Sequence, residues 1–196
     1  MDILQYLDMG LFGFGKSKID KRKEDWIIEA KNWYDQGNSL AKLGKDQEAI
    51  ACYDKSLSLD SKNWGAWTNK GNSLAKLGKD EETIVCYSQA IRLNPEDLRA
   101  WSNKGFALNK LERYEESIIC YNQVIRFNSN DPNAWFNRGN ALANLKKFEE
   151  SIECFDKVIK KNPKYPSALR YKGVALKKLG RDEEAEYCFT KDKESE

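Results

Sequence analysis

Five cysteines are the residues whose types and spacing first suggest chemistry, because each follows the one before it by 34 residues. They are Cys52, Cys86, Cys120, Cys154 and Cys188. If a repeat of this length stacks as helices, equivalent positions lie about 8–10 Å apart. The Cα atoms of a disulfide are rarely more than about 6.8 Å apart, and a zinc ion needs several sulfur atoms at about 2.3 Å. We therefore expect reduced thiols that are buried as small hydrophobic side chains, with no disulfide and no metal site.

Other groups that could support catalysis are absent or have a simpler explanation. The sequence contains no histidine, which removes the commonest general base and the usual partner of a serine or cysteine nucleophile. It also has no glycine-rich phosphate loop. The paired acids Glu81-Glu82 and Glu149-Glu150 fall at predicted helix starts, where the helix dipole favours negative charge. The sequence predicts a protein that is not an enzyme and binds no cofactor.

The charge balance limits the possible partners. The chain has 33 basic and 31 acidic residues and a net charge of +2, so no overall field attracts it to nucleic acid or to an anionic membrane. No segment approaches the roughly 18 consecutive apolar residues that a membrane-spanning helix needs. The first residues include Asp2 and Asp8 where an export signal would be basic. We expect a cytoplasmic protein without a nucleic-acid or membrane partner.

The step of 34 residues extends to the residues that shape helices. The glycines that keep it are Gly37, Gly71, Gly105, Gly139 and Gly173. The tryptophans that keep it are Trp33, Trp67, Trp101 and Trp135. Each period contains two runs of apolar residues at helical intervals. The runs are joined by turns such as residues 77–80, where Gly78 suits a left-handed helix end and Asp80 can cap the next helix. The pattern predicts antiparallel helix hairpins.

The period divides the chain into a non-repeat segment and five units. The predicted ranges are 1–29 for the segment and 30–63, 64–97, 98–131, 132–165 and 166–196 for the units, the last with a polar C-terminal cap. Within a hairpin we expect a small residue to face each glycine, for example Ser117 opposite Gly105, so that the backbones approach closely. One hairpin cannot bury its large side chains alone, so the five units should stack into one solenoid.

The order Trp, Gly, Leu, small residue, aromatic residue and Pro at a step of 34 residues resembles the tetratricopeptide repeat, over roughly residues 30 to 196. The resemblance implies an all-α, right-handed superhelical solenoid of antiparallel helix hairpins. In that fold the first helix of each hairpin lines a concave groove and the second helix forms the convex back. It also implies a scaffold that binds a peptide segment of another protein, although the fold alone does not identify the partner.

Asparagines recur on the predicted first helices. They are Asn38, Asn69, Asn72, Asn103, Asn137 and Asn140. Asparagine is a mediocre helix former, but its carboxamide both donates and accepts hydrogen bonds. We therefore expect these residues to bind the backbone of an extended peptide. Duplication of a harmless solvent-facing asparagine remains the alternative.

Some tetratricopeptide domains bind a C-terminal carboxylate with a set of Lys, Asn, Asn, Lys and Arg. The corresponding residues here are Tyr34, Asn38, Asn69, Arg99 and Asn103. Both asparagines and one cation match, whereas two cations are replaced. Because charge-assisted contacts are the stronger ones, a full carboxylate clamp is not expected.

An aromatic patch is expected toward the C-terminal end. Phe106, Phe136 and Tyr171 occupy inner positions of first helices, with Arg170 beside them. Such residues can anchor an apolar side chain of a ligand, although Phe106 and Tyr171 could instead pack between units. Lysines also recur near the ends of first helices, where they suit either the helix dipole or an acidic ligand. They are Lys42, Lys76, Lys110 and Lys178.

The segment 1–29 is more apolar than a free tail. We expect Gly13 and Gly15 to break it into a short helix and a bend, and the next helix to begin near Glu24. Three roles remain open: a cap on the first unit, insertion into the groove of its own or a neighbouring molecule, and a contact with a membrane surface.

The leading functional hypothesis is a scaffold for protein-protein interaction. One alternative is a self-assembling repeat protein, in which the N-terminal segment docks into a neighbouring molecule to form a homo-oligomer. A remote alternative is an RNA-binding helical repeat, for which the groove lacks a dense basic lining.

Overall fold

The computed structural model describes residues 13–165 and 167–194, and these residues form ten α-helices. The helices are α1 Gly13–Lys42, α2 Asp46–Leu59, α3 Trp64–Lys76, α4 Asp80–Leu93, α5 Leu98–Lys110, α6 Tyr114–Phe127, α7 Pro132–Asn144, α8 Phe148–Lys161, α9 Ala168–Lys178 and α10 Asp182–Glu194. The prediction of an all-α fold is confirmed. We call the odd-numbered helices first helices and the even-numbered helices second helices.

The chain forms two compact units, one ending at Leu77 and the other beginning at Gly78. In the first unit, α2 packs against α1 and α3, and α1 also contacts α3. In the second unit, each helix from α4 to α10 packs against the next one along the chain. First helix α7 additionally contacts α5 and α9. Three first helices of the second unit are therefore neighbours.

Within the described hairpins, an aromatic ring of the second helix lies against a glycine of the first. A Cβ atom on the glycine would lie too close to the ring, since real Cβ atoms are rarely within 3.0 Å of another group. The pairs, with the shortest distance from that Cβ position to the ring, are Gly37 with Tyr53 (2.7 Å), Gly105 with Tyr121 (2.9 Å), Gly139 with Phe155 (2.9 Å) and Gly173 with Phe189 (2.6 Å). The repeated glycine is therefore required by the repeated ring.

A small residue also contributes to the close approach of the helices, as the hydroxyl of Ser151 shows. Ser151 Oγ donates a hydrogen bond to the carbonyl oxygen of Gly139 at 2.8 Å. This residue is fully buried, as is Ser117 at the same place in the preceding hairpin. The nearest side chain to the glycine, however, is the ring and not the small residue that the sequence suggested.

A tryptophan in the first turn of three first helices binds the preceding loop. Its indole Nε1–H donates to a loop carbonyl six residues earlier. The bonds run from Trp67 to Ser61 (3.0 Å), from Trp101 to Pro95 (2.9 Å) and from Trp135 to Ser129 (2.9 Å). Side chains of Asn63, Asp97 and Asp131 accept backbone N–H bonds at the starts of α3, α5 and α7. These bonds therefore fix where α3, α5 and α7 begin.

The turn inside each hairpin contains one residue in the left-handed region. Gly78 has φ +73°, which confirms the predicted left-handed helix end. The prediction that Asp80 caps the next helix is wrong, because Lys79 holds the cap position. Asp80 is the first residue of α4, and its carboxylate accepts a hydrogen bond from Lys110 Nζ at 2.8 Å.

Helix α1 is longer than expected. It runs without interruption for 30 residues, so the predicted break at Gly13 and Gly15 and the predicted start near Glu24 are wrong. Both glycines fall in its first turn, where a residue without a side chain costs less than in a helix interior. Residues 1–12 lie outside the described part of the chain, so the three roles suggested for segment 1–29 stay predictions. None of the described helices is both long and apolar enough to cross a membrane.

One stability prediction follows from the hairpin turns. Glu112 has φ +58° at the position that glycine occupies in three other turns, and its side chain is exposed. Glu112→Gly should raise the free energy of unfolding by roughly 0.5–1 kcal/mol, because relief of the left-handed strain exceeds the entropy added to the unfolded chain. The check is the midpoint of urea denaturation. The control Glu153→Gly, at an exposed position in the interior of α8, should lower it by a similar amount. Equal losses in both variants would contradict this account.

Candidate functional site

In the first unit, the predicted peptide-binding asparagines form a hydrogen-bond network with two tyrosines. Asn69 Nδ2 donates to Asn38 Oδ1 at 2.7 Å and to the Tyr34 hydroxyl at 3.2 Å. The Tyr53 hydroxyl donates to the same Asn38 oxygen at 3.0 Å. Burial, with help from Tyr34, raises the pKa of Tyr53 to about 12, so this phenol stays a donor at neutral pH. The network holds both carboxamides in fixed orientations.

This network leaves polar groups for a ligand. Both N–H groups of Asn69 and the oxygen of Asn38 already have partners. Among the described residues, the oxygen of Asn69 and the amide NH₂ group of Asn38 have no partner and keep hydrogen-bonding capacity. The first unit can therefore offer a ligand one fixed acceptor and one fixed donor group. The third asparagine of this unit, Asn72, is half-buried on α3.

The last two positions of the clamp comparison lie on α5, in the second unit. Arg99 is largely exposed, and its Nε lies 3.5 Å from Asp97 Oδ1. The Asn103 side chain hydrogen-bonds the phenol of Tyr87, whose pKa is raised well above its usual range by burial. Asn103 thus lies against a tyrosine of a second helix, as Asn38 does in the first unit.

Two further predicted asparagines are half-buried on α7. Asn137 lies one turn from the helix start, and Asn140 lies one turn further on. The Oδ1 atom of Asn140 is buried and accepts no hydrogen bond from the described residues. An unpaired buried acceptor of this kind costs about 1–3 kcal/mol, which favours contact with an incoming donor.

The predicted aromatic patch is partly a cluster of contacting rings. The Phe136 ring lies 5.2 Å from the Tyr171 ring and 5.0 Å from the Tyr165 ring. The Phe155 ring completes the cluster, 5.7 Å from Phe136 and 6.0 Å from Tyr171. Tyr171 keeps 44% of its surface exposed despite these contacts. It therefore packs between helices and is also available to a ligand.

The other two residues of the predicted patch are exposed. Phe106 on α5 is 59% exposed, which excludes the alternative that it is buried between units. Arg170 on α9 is also exposed. Whether these side chains and the asparagines bind a peptide stays a prediction.

A cavity of about 690 Å³ adjoins the ring cluster. Its walls come from α7, the turn between α7 and α8, the start of α8, and α9. The lining residues are Asn140, Ala143, Asn144, Lys146, Phe148, Tyr171, Val174, Ala175 and Lys178. Only Asn140 and Tyr171 of this set were among the predicted site residues. Pockets that bind small ligands or side chains have similar volumes.

Two of the four lysines at the ends of first helices have internal partners. Lys76 Nζ lies 3.3 Å from Asp46 Oδ1, and Lys110 Nζ lies 2.8 Å from Asp80 Oδ1. These two lysines therefore pair with the first turn of a second helix. Lys178, for which the sequence left the helix dipole and an acidic ligand as alternatives, lies in the cavity wall. The sequence carries one signal for a special role of Lys178. The residue 30 positions before it is Phe148, whereas Lys76 and Lys110 are preceded at that distance by aspartates.

The cysteine column is buried, as expected. All five cysteines are free thiols in the interior. Burial raises the pKa of Cys120 and of Cys154 to about 11. Arg138 Nη1 donates to Cys154 Sγ at 3.1 Å and opposes that rise only in part. Within the described ranges, no group of three or more acidic, cysteine or histidine side chains could hold a metal ion.

Family profiles match most of the chain. Profiles described as "Tetratricopeptide repeat" match residues 65–97, 132–165 and 154–187. A profile described as "TPR repeat" matches residues 37–78 and 105–146. Together the matches cover well over half of the sequence. Among curated proteins, no relative matches.

Solved structures with the same fold include MamA and YrrB. MamA from Desulfovibrio magneticus RS-1 matches with a TM-score of 0.81 and 20% identity, over 85% of this chain and 94% of that chain. Another crystal structure of MamA gives 0.82 and 22%, over 85% and 91%. YrrB, described as a TPR protein with an unusual peptide-binding site, gives 0.80 and 25%, over 92% and 91%. The predicted tetratricopeptide-type solenoid is confirmed as the fold class.

Burial of the five thiols predicts slow cysteine chemistry. At neutral pH they should react with a disulfide reagent far more slowly in the folded protein than after unfolding, because the reagent cannot reach a buried sulfur atom. The raised pKa values of Cys120 and Cys154 add to the effect, since the thiolate is the reactive form. The check is to count modified thiols over time with and without denaturant. A thiol that reacts as fast in the folded protein as in the unfolded chain would contradict the assigned burial.

Proposed function

Because this chain belongs to the tetratricopeptide repeat family, we propose that it is a non-catalytic scaffold that binds a peptide segment of another protein. The proposed binding surface in the second unit is the side of α5, α7 and α9 that carries the predicted residues. We call this surface the inner face. The observation that carries the proposal is the exposure of Phe106 on α5 and of Tyr171 on α9, two first helices that both contact α7.

Helix geometry supports a shared surface. Asn103 and Phe106 lie three residues apart on α5, and Asn137 and Asn140 lie three apart on α7, which places each pair on one side of its helix. Because α7 contacts both α5 and α9, the two pairs and Tyr171 belong to adjoining helices. Aromatic anchors surrounded by carboxamides can bind apolar side chains and backbone groups of the same peptide.

The asparagine network of the first unit supports the same function. Asn38 and Asn69 are held by Tyr34 and Tyr53, so little side-chain entropy is lost when a ligand binds. Preorganised donors and acceptors suit the backbone of an extended segment. We propose that this pair binds peptide backbone in the first unit.

The comparison with YrrB supports a peptide ligand. That protein is described as having an unusual peptide-binding site, and it shares 25% identity with this chain over nearly its whole length. An absence of catalysis is supported by the lack of histidine and by thiols whose raised pKa values disfavour the nucleophilic form.

The proposal predicts a difference between two exposed tyrosines. Peptides are selected from a displayed random library on the full chain, and their affinities are then measured by calorimetry. Tyr171→Ala should weaken binding at least tenfold, because a buried aromatic anchor contributes about 2 kcal/mol or more. Tyr187→Ala is the matched control, since Tyr187 is 64% exposed on second helix α10. It should leave binding unchanged.

A second pair of variants tests the opposite edge of the inner face. Phe106→Ala should weaken the same peptides, whereas Ile119→Ala on α6 should not, although the two side chains are exposed to a similar extent, 59% and 57%. If both control variants weaken binding as much as the inner-face variants, the peptide lies elsewhere. If no peptide is selected at all, the proposed function is wrong.

Self-assembly is a second candidate function, supported by an apolar patch, a group of exposed apolar side chains on α1. Trp26, Ile27 and Ile28 on α1 are each more than half exposed. Contiguous exposed apolar side chains of this kind often mark an interaction surface.

The patch predicts a change in molecular mass. If it joins copies of the chain, the mass from analytical ultracentrifugation should rise with concentration, and Ile27→Lys should hold the protein as a monomer. Lys31→Ala, an exposed change on the same helix, is the control. A monomer at every concentration in the unchanged protein would rule out assembly through this patch.

A further inference from the structure

In two places, a lysine near the end of a first helix has a carboxylate partner on a second helix. Lys76 Nζ lies 3.3 Å from Asp46 Oδ1 in the first unit. Lys110 Nζ lies 2.8 Å from Asp80 Oδ1 in the second unit. In both pairs the aspartate precedes the lysine by 30 residues and lies in the first turn of its helix.

The last lysine of this series has lost that partner. The residue 30 positions before Lys178 is Phe148, which begins α8 at the place where Asp80 begins α4. Within residues 13–165 and 167–194, the Lys178 side chain forms no ion pair and no hydrogen bond. The same substitution that removes the carboxylate puts an aromatic ring in its place.

Lys178 and Phe148 both line the cavity of about 690 Å³. A second lysine, Lys146, lines it as well and has no ion pair in the described part of the chain. None of the described residues in its wall is acidic. The cavity therefore has a positive rim without an internal counter-charge, which is complementary to an anionic group.

The remaining wall suits an apolar side chain and one backbone donor. Phe148, Tyr171 and Val174 supply apolar surface, and Val174 is 47% exposed. Asn140 also lines the cavity, and its Oδ1 atom is buried and unpaired among the described residues. A small rotation of the carboxamide would let this oxygen accept a hydrogen bond from a peptide N–H group.

We propose that this cavity binds an acidic side chain of the partner segment together with a neighbouring apolar side chain. Lys178 then pairs with a carboxylate of the ligand. For Lys76 and Lys110, the corresponding carboxylate comes from Asp46 and Asp80 of the chain itself. The inference deepens the proposed function and depends on it, because it identifies the chemistry of the segment that the inner face binds.

A side-chain carboxylate fits better than a C-terminal one. In both internal pairs the lysine is bound by an aspartate side chain that projects from a folded backbone. A continuing chain offers Asn140 a peptide N–H group on either side of the acidic residue, whereas a chain end offers such groups on one side only.

The test uses two random peptide libraries, one displayed with both ends extended and one ending in a free carboxylate. Both are selected on the full chain and on three variants: Lys178→Gln, Lys178→Glu and Lys177→Gln. Lys177 is exposed and adjacent, and it does not line the cavity, so its variant controls for overall charge. The readout is the frequency of acidic residues beside an apolar residue in the selected peptides.

The unchanged chain and Lys177→Gln should enrich such acidic residues from the extended library. Lys178→Gln should remove the enrichment and weaken individual acidic peptides about three- to fivefold, the range expected for a solvent-accessible ion pair. Lys178→Glu should favour basic residues instead.

Four outcomes would overturn the inference. Peptides that depend on Tyr171 but show no acidic preference would contradict it while leaving the proposed function intact. Acidic enrichment that persists in Lys178→Gln would also contradict it. If peptides are selected only from the free-carboxylate library, the group that the cavity binds is the carboxylate of a chain end and not that of an acidic side chain. If no peptide binds through Tyr171, the proposed function fails and the inference fails with it.

Discussion

The arrangement of this protein depends on one contact, an aromatic ring of a second helix packed against a glycine of the first helix. At Gly139, a Cβ atom would lie only 2.9 Å from the ring of Phe155. The ring is fully buried, so it contributes a large apolar area where the two backbones approach most closely. Any larger residue at Gly139 would separate the helices of that hairpin. The ring and the glycine therefore recur together at the same step as the repeat.

Because this contact fixes the hairpins, the inner surface can vary without changing the fold. Position 106 is a phenylalanine where Asn72 and Asn140 stand one period before and after it. Position 148 is a phenylalanine where Asp80 stands two periods earlier. The first change exposes an aromatic side chain on α5, and the second removes a carboxylate from Lys178. Departures from the repeat, more than the repeat itself, give the inner face its chemistry.

The sequence predicts the helices well, since a period shared by glycine, tryptophan and cysteine columns leaves few alternatives. Burial of the thiols and the left-handed Gly78 follow from local rules and are confirmed. The role of Asp80 could not be predicted locally, because its lysine partner lies 30 residues away on another hairpin. The predicted start of α1 is wrong because Gly13 and Gly15 lie in the first turn of the helix, where glycine disfavours helix less than it does in the interior. The cavity combines residues from three helices and a turn, and its volume depends on their packing.

The most direct test of the central claim is a hydrogen-deuterium exchange footprint of the full chain with a selected peptide. The account predicts slower amide exchange in the presence of the peptide along α5, α7 and α9, where the inner face lies. Second helices α6, α8 and α10 should change little. Protection confined to those second helices would place the ligand on the opposite side and contradict the account.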